Sequence, residues 1–326
     1  MSANSSSSSV FDPLKSARVL TLRDRLLLSW LAEHYVLSTS QVTAALFPSR
    51  RIAQRRLTAL TRNGALSAFR YNPTAADPVL YRIGALPRYG LGVPEIDPAD
   101  LRYSLGPLGV LLHPTAYHDP DDIKAKPPRT HLERRTRIER SHTRRHLMGV
   151  NRFFTDLYAH ARTHPGARLT HWWSEQHATT VFGGRYRNSS EGPAAEPIII
   201  RPDGHGTWQV GDTTIGLFLE YDNDTMSVLE VVRKLRHYEY LALQPDGPRW
   251  PVLLWVPTAD RERRLQQALA DTPMAVTVAT AVHCRTPAQA IWAPVDQPGI
   301  RLRLHELPSG PVEGFHDRAL PTDLKN

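Results

Sequence analysis

The first third of the chain carries apolar residues at helical spacing in three short, successive stretches. They are Leu26, Leu27, Trp30 and Leu31, then Val42, Ala45 and Leu46, and then Ile52, Leu57 and Leu60. A capping-box-like Thr21 to Asp24 precedes the first stretch, and Asn63-Gly64 follows the third. The pattern therefore predicts three helices in quick succession.

Short runs with strand-like composition follow the third predicted helix. Leu66 to Tyr71 and Val79 to Ile83 flank a turn that contains proline, and this order predicts a two-stranded wing. Leu101 to Gly109 is interpreted as a further strand and turn that closes the unit. A short helix, a turn and a third helix form a helix-turn-helix arrangement. Together with the wing, it predicts a winged-helix domain over residues 19–111.

The rest of the chain alternates predicted helices and strands after a segment rich in proline and aspartate at 112–128, which is interpreted as a linker. The predicted elements are a long helix at about 130–162, strands at 198–210 and 213–222, a helix after Ser227, a strand at 251–256, a helix at 260–270 and a strand at 275–282. The pattern predicts an α+β protein. A second domain at 129–310 is built on a mixed central sheet, with an unstructured tail at 1–18 and a second tail at 311–326.

Composition adds the charge balance and the cellular setting. The formal net charge is +8 at pH 7, which favours a polyanionic partner such as nucleic acid or an anionic membrane surface. No apolar run approaches the roughly 20 residues that a membrane span needs, and the N-terminus lacks the order of a signal peptide. The single cysteine, Cys284, excludes an intrachain disulfide and fits a reducing compartment. We therefore expect a cytoplasmic protein with no membrane partner.

Arginine dominates the outward face of the third predicted helix, and no acidic residue lies between Arg50 and Arg70. The candidate DNA contacts on this helix are Arg50, Arg51, Arg55, Arg56 and Arg62. Such a helix supplies phosphate contacts when it enters the major groove. Winged helices also dock proteins, and arginine runs also form solvated faces, but a one-sided charge favours DNA.

The first half of the long predicted helix is also basic, and its apolar stripe lies only in the second half. Its candidate DNA contacts are Arg134, Arg135 and Arg144. This half is interpreted either as an exposed arm along the DNA backbone or as an ordinary solvated helix face. The sequence leaves both open.

A predicted hairpin brings two carboxylates together. If Gly211-Asp212 is a two-residue turn, Val210 pairs with Thr213, and the same register places Asp203 directly across from Glu220. Like charges in that position destabilise a sheet unless something offsets them. A divalent cation would do so, and carboxylate oxygens suit Mg²⁺ or Mn²⁺. The predicted metal ligands are therefore Asp203 and Glu220.

A lysine on the following helix is the candidate partner of these carboxylates. Lys234 lies at the border of the helix's apolar stripe, from which it could reach over them and stabilise charge that builds on a phosphate. The alternative is an ordinary pair with Glu230 one turn away. Asp222 has a similar alternative, because the hairpin register places Arg201 across from it.

Three motifs in order resemble the replication-relaxation family of actinobacterial plasmids and mobile elements. They are Arg201-Pro-Asp-Gly204, Phe218-Leu-Glu-Tyr-Asp222 and Arg233-Lys-Leu-Arg-His-Tyr238. The segments His146 to Phe154 and Trp173-Ser-Glu175 are similar to that family's helix and first strand, and the resemblance covers roughly residues 20–300. It implies a winged helix joined to a PD-(D/E)XK nuclease-like core, roles in plasmid replication and DNA relaxation, and nuclease-like chemistry.

The lysine position departs from the general nuclease pattern. The motif lysine normally follows the glutamate by two residues, and here that position holds Asp222. Lys234 would therefore be a migrated equivalent. Glu175, on the expected first strand, and Asp222 are interpreted as assisting carboxylates.

Two functions follow from this reading. The first is an enzyme that nicks or cuts DNA by metal-dependent hydrolysis. The second is a non-catalytic replication initiator or transcriptional regulator with a degenerate nuclease core. In both, the expected partner is double-stranded DNA of a plasmid or mobile element. Replication or conjugation proteins and a second copy of the chain are further candidates.

Overall fold

The computed structural model describes residues 13–70, 100–122, 124–183, 200–270, 272–283 and 286–312. Within these ranges helices pack against two β-sheets, one of three strands and one of six. Several predicted features lie outside the described residues: the wing strand at 79–83, the first residues of the run at 198–210, Cys284, and most of both tails.

The elements follow the chain in this order. The N-terminal ones are α1 (Pro13–Arg18), α2 (Leu22–His34), β1 (Leu37–Ser38), α3 (Thr39–Leu46), α4 (Arg50–Arg62), β2 (Leu66–Phe69), β3 (Arg102–Leu105) and α5 (Pro107–Leu112). The later ones are α6 (His131–Arg140), α7 (Arg144–Thr163), β4 (Ala167–Ser174), α8 (Glu175–Phe182), β5 (Gly204–Val210), β6 (Thr213–Tyr221), α9 (Val228–Ala242), β7 (Val252–Val256), α10 (Ala259–Leu269), β8 (Val278–Val282), β9 (Ala293–Pro294) and a 3₁₀ turn (Leu304–Glu306).

The three-helix prediction for the N-terminal unit is confirmed. The capping box between Thr21 and Asp24 is present at the start of α2, because each residue's side chain bonds the other's backbone N–H. Strands β1, β3 and β2 form an antiparallel sheet in that spatial order. The spacing also predicts that Ile52 faces inward on α4, and that was wrong, since Ile52 is 38% exposed and Ala53 is buried instead.

The six-stranded sheet is mixed, as predicted. Its order is β4-β5-β6-β7-β8-β9, in which β4, β5 and β6 are antiparallel and β6, β7 and β8 are parallel. Strand β7 is apolar and buried along its whole length, as expected for a parallel strand covered on both faces. Gly211 turns the β5–β6 hairpin at a φ of 58°, and Val210 pairs with Thr213. The predicted hairpin register is therefore confirmed.

One hydrophobic core joins the N-terminal helices to the large sheet. The Trp30 and Trp172 rings meet edge to face with centroids 5.3 Å apart, and the His34 ring stacks on Trp172 at 3.8 Å. The buried Asn151 amide on α7 donates to the carbonyl oxygens of His34, at 3.1 Å, and Val36, at 2.8 Å. The segment predicted as a linker also packs here, because the Tyr117 N–H donates to the Ala32 carbonyl.

The long predicted helix is two helices, α6 and α7, so that prediction was wrong. The break falls at residues 141–143. The hydroxyl groups of Ser141 and Thr143 donate to Asp121 Oδ1 at 2.9 and 2.8 Å. These bonds tie the break between α6 and α7 to the segment that precedes α6.

Three smaller boundaries also differ from the sequence prediction. Residues 13–18 form α1, although the tail was expected to be unstructured as far as residue 18. The segment after β3 is helix α5, with Pro107 in its first turn, and is not a simple turn. Strand β5 begins at Gly204, so Asp203 immediately precedes the strand.

Candidate functional site

Four segments meet at a small pocket of about 100 Å³, at the end of the large sheet where β5 begins and β6 ends. Asp203 precedes β5, Glu220 lies near the end of β6, Lys234 lies on α9 and His146 lies on α7. All four side chains line the pocket. The sequence motifs are far apart along the chain, and the hairpin and the two helices bring them together.

The hairpin sets the position of the two carboxylates. The last β5–β6 pair is Gly204 with Leu219, so Asp203 lies one residue beyond the ladder on the side of Glu220. The Tyr221 N–H donates to Asp203 Oδ2 at 2.7 Å, which fixes that carboxylate at the strand end. Both carboxylates contact one ammonium group, as the predicted shared face requires.

Lys234 supplies the positive charge between the carboxylates. Its Nζ donates to Glu220 Oε2 and lies 3.7 Å from Asp203 Oδ1. Glu230, the alternative partner, instead caps the start of α9 through Ser227. The ammonium group therefore offsets the repulsion between Asp203 and Glu220.

Burial and the neighbouring charges shift the pKa values of Asp203 and Glu220 in opposite directions. Burial, and then the negative charge of Asp203, raise the pKa of Glu220 to about 7 against the opposing effect of Lys234. Burial also acts to raise the pKa of Asp203, but Lys234 and His146 outweigh it and lower the value to about 2. Desolvation opposes the charged form of Lys234, yet Glu220 and Asp203 raise its pKa overall. The site therefore favours the ionised form of Asp203 and opposes ionisation of Glu220.

Two side chains in this site were missed by sequence reasoning. The buried Tyr238 hydroxyl donates to Glu220 Oε1. The His146 Nε2 atom lies 3.1 Å from Asp203 Oδ2, and its Nδ1 lies 3.3 Å from the Asn223 side-chain nitrogen. The available signal for Tyr238 was its spacing of four residues from Lys234, which puts both on one helix face.

The two assisting carboxylates are arranged differently from the prediction. Asp222 Oδ2 accepts from Nε of the buried Arg261 at 2.6 Å, so its partner is Arg261 and not Arg201. Glu175 is the first residue of helix α8 and does not lie on the first strand β4. Desolvation, and then the charge of Asp203, raise the pKa of Glu175, so it responds electrostatically to the pocket.

The arginines of α4 divide into two groups. Arg50 Nη2 lies 2.8 Å from Asp100 Oδ1, and Arg56 forms a bidentate ion pair with the buried Asp24. Neither acid lies in the arginine-rich segment, so the sequence pattern could not predict these pairs. Three arginines remain exposed, with no ion pair in the part of the chain that the structure describes: Arg51, Arg55 and Arg62.

The exposure expected for the first half of the long helix was wrong for two of its three candidate arginines. The Arg134 side chain is buried and donates to the carbonyl oxygens of Tyr117 and Leu31. Arg144 is buried and donates to the Glu139 carbonyl. Arg135 is half-buried and pairs with Glu139 at 3.2 Å. Arg144 therefore links the start of α7 to the end of α6, and Arg134 ties α6 to the N-terminal helices, because buried backbone carbonyl groups need donors.

Within the described ranges, no cluster of three or more histidine, cysteine, aspartate or glutamate side chains is arranged to hold a metal ion. None of the helices described is long and apolar enough to cross a membrane.

Comparison with known proteins gives a family. The model of the replication-relaxation family matches residues 28–251, which run from within α2 to beyond α9 and include every residue of the pocket but Leu254. Among curated proteins and solved structures, nothing matches the chain.

Proposed function

This chain belongs to the replication-relaxation family, and we propose that it binds double-stranded DNA and cleaves phosphodiester bonds at the Asp203–Glu220–Lys234 pocket. The family suggests a role in plasmid or mobile-element replication or relaxation. The observation that carries the proposal is the Lys234 ammonium group held against two carboxylates in an open pocket. A lysine beside two acids can stabilise negative charge on a phosphate, and the two acids can hold the metal ion that activates water for hydrolysis.

The N-terminal unit would bind the DNA as a winged helix. Its order of helix, strand, two helices and two strands supports this assignment, with α4 as the helix that enters the major groove. The free guanidinium groups of Arg51, Arg55 and Arg62 then face the phosphates. Arg50 and Arg56, which were candidates from the sequence, keep structural roles because acids already neutralise them.

The pocket residues have separable roles in cleavage. Lys234 would stabilise the negative charge that develops on the phosphate oxygens. Tyr238 orients Glu220, and the Tyr221 N–H together with His146 orients Asp203. The side chains that touch the acids are thus fixed before substrate arrives.

Asp203 and Glu220 are the residues that would hold Mg²⁺ or Mn²⁺. Asp203 Oδ1 accepts no hydrogen bond from any of the described residues, and hard carboxylate oxygens are the ligands these ions prefer. Mg²⁺ often uses only one or two carboxylates and completes its shell with water and substrate phosphate, so a pair of acids fits. When bound, such an ion supplies an activated water and neutralises charge on the phosphate.

A second candidate function is DNA binding without cleavage. It is favoured by a specific observation: Glu220 Oε1 and Oε2 and Asp203 Oδ2 all have hydrogen-bond or ion-pair partners within the protein. A cation would then compete with Lys234 for Glu220. If that competition always favours lysine, the chain is an initiator or regulator with a degenerate core.

Incubation of the protein with supercoiled plasmid distinguishes DNA cleavage from DNA binding without cleavage. We expect the wild-type protein with Mg²⁺ or Mn²⁺ to convert supercoiled DNA into open circles or linear DNA, and EDTA to prevent it. Asp203→Ala should abolish conversion, whereas Asp212→Ala, on the exposed turn of the same hairpin, should not. Retained DNA binding without any conversion by the wild-type protein would select the second function.

A further inference from the structure

An open groove of about 380 Å³ lies between the start of α2 and the first half of α4. Its charged lining residues are Arg23, Asp24, Arg55 and Arg56, and none of them lines the acidic pocket. Asp24 is buried and bound by Arg56, whose Nε lies 2.9 Å from Asp24 Oδ1. That pair is neutral, so Arg23 and Arg55 give the groove a net positive charge.

Arg23 is held in place by an aromatic ring, and none of the described residues gives it an acidic partner. Its guanidinium carbon lies 5.1 Å from the centre of the Phe47 ring, in cation–π contact. Its Nε atom is buried and has no hydrogen-bond partner in the described part of the chain. The Phe47 contact fixes the positive charge of Arg23 at the wall of the groove, where no acid among the described residues neutralises it and a phosphate can pair with it.

Arg55 connects the groove to the exposed side of α4. Residues at spacings of four and seven share a helix face, so Arg51, Arg55 and Arg62 form one outward stripe. Arg55 is exposed and also lines the groove. The positive surface therefore runs continuously from the stripe of α4 across the groove to Arg23 on α2.

We propose that this groove binds a backbone phosphate of duplex DNA between Arg23 and Arg55. The inference rests on the proposed DNA binding by α4 and adds α2 as a second contact with the backbone. Arginine suits phosphate binding because its planar guanidinium group can donate hydrogen bonds to two phosphate oxygens at once. An acidic peptide is less suited, because Phe47 is buried and the groove offers Ile52 as its one large exposed apolar anchor among the described residues.

The test is equilibrium binding of a fluorescent duplex of mixed sequence at several salt concentrations. We expect Arg23→Ala and Arg23→Gln to weaken binding and to lower the log–log salt slope by about 0.9, the value for one lost phosphate contact. The matched control is Arg25→Ala, because Arg25 lies two residues away on α2, is exposed and does not line the groove. It should leave the slope unchanged, and Arg51→Ala serves as the reference for a stripe contact.

The outcomes separate this inference from the proposed function. If Arg51→Ala lowers the slope but both Arg23 variants behave like Arg25→Ala, α4 binds DNA and the groove holds no phosphate. If Arg51→Ala also has no effect, DNA binding by α4 is wrong and the groove proposal falls with it. If the Arg23 variants lose binding of a fluorescent polyglutamate peptide but not of duplex, an acidic protein segment occupies the groove. Circular dichroism and thermal unfolding check that each variant is folded.

Discussion

Tyr238 donates its phenolic hydrogen to Glu220 Oε1 from one helical turn beyond Lys234, which contacts the other oxygen of the same carboxylate. Both oxygens of the Glu220 carboxylate therefore accept hydrogen bonds from side chains on one face of α9. This arrangement fixes the carboxylate in the lining of the pocket, and each contact has a measurable consequence.

Removing the tyrosine hydroxyl should disturb Glu220 more than it disturbs the fold of α9. Tyr238→Phe leaves a buried carboxylate oxygen without its donor, and we expect a loss of about 1–3 kcal/mol in unfolding free energy. The pKa of Glu220 should also rise above about 7, because the hydrogen bond lowers it. Chemical denaturation and NMR titration measure the two effects. Tyr240→Phe, two residues away and half-buried, is the control that should change neither.

The raised pKa of Glu220 predicts how stability depends on pH. An acid whose pKa is higher in the folded state is destabilising when ionised, and each unit of difference corresponds to about 1.4 kcal/mol. Ionisation of Glu220 should therefore leave the free energy of unfolding unchanged below pH 4.5 and should lower it progressively as pH rises toward 7. Glu220→Gln lacks this titration, so it should match the wild type at pH 4 and be at least as stable at pH 8. A Glu220→Gln protein that is clearly less stable at pH 8 would mean that the Lys234 ion pair dominates.

Divalent cations should compete with Lys234 for the carboxylates. Mn²⁺ should raise the melting temperature of the wild-type protein, because binding to the folded state alone stabilises it. Lys234→Gln should bind Mn²⁺ more tightly, since the competing ammonium group is gone, and Asp203→Ala should show no shift. Lys124→Gln, on an exposed segment, is the charge-matched control. Calorimetry with EDTA and with Mn²⁺ measures these melting temperatures. If Mn²⁺ raises the melting temperature of none of the proteins, the metal site is excluded.

Neighbouring arginines on α4 should behave in opposite ways. Arg55→Ala should leave stability nearly unchanged and lower the salt slope of DNA binding by about 0.9. Arg56→Ala should instead destabilise the fold by roughly 1–3 kcal/mol, because it leaves the carboxylate of the buried Asp24 without its charged partner. Thermal unfolding measures the stability of the two variants, and fluorescence anisotropy of labelled DNA at several salt concentrations measures their salt slopes. Equal stability of the two variants would contradict the structural role of Arg56.

Gly149 should resist substitution despite its position inside a helix. Alanine is normally favoured over glycine in a helix by about 1 kcal/mol. A β-carbon at Gly149 would overlap the Tyr221 ring, which packs directly on α7 beside the pocket. We therefore expect Gly149→Ala to lower the melting temperature, and a rise would show that Tyr221 can move aside.

The sequence by itself determined the features that depend on local chemistry. The capping boxes of α2 and α9 follow from side chains three residues apart, and the β5–β6 register follows from the two-residue turn at Gly211. That register predicted that Asp203 and Glu220 lie side by side. The order of motifs also indicated the family to which the chain belongs. Each of these depends on residues that are close in sequence or on a fixed order along it.

Only the tertiary structure decided which charged groups meet. Asp24 and Asp100 neutralise two arginines of α4 from outside its sequence, and Arg261 binds Asp222 from α10. His146 reaches Asp203 from a helix more than fifty residues earlier in the chain. Periodicity reports the face on which a side chain lies but not the partner that another element brings to it. For that reason the sequence predicted the two carboxylates, and the packing of α7 and α9 supplied His146 and Tyr238.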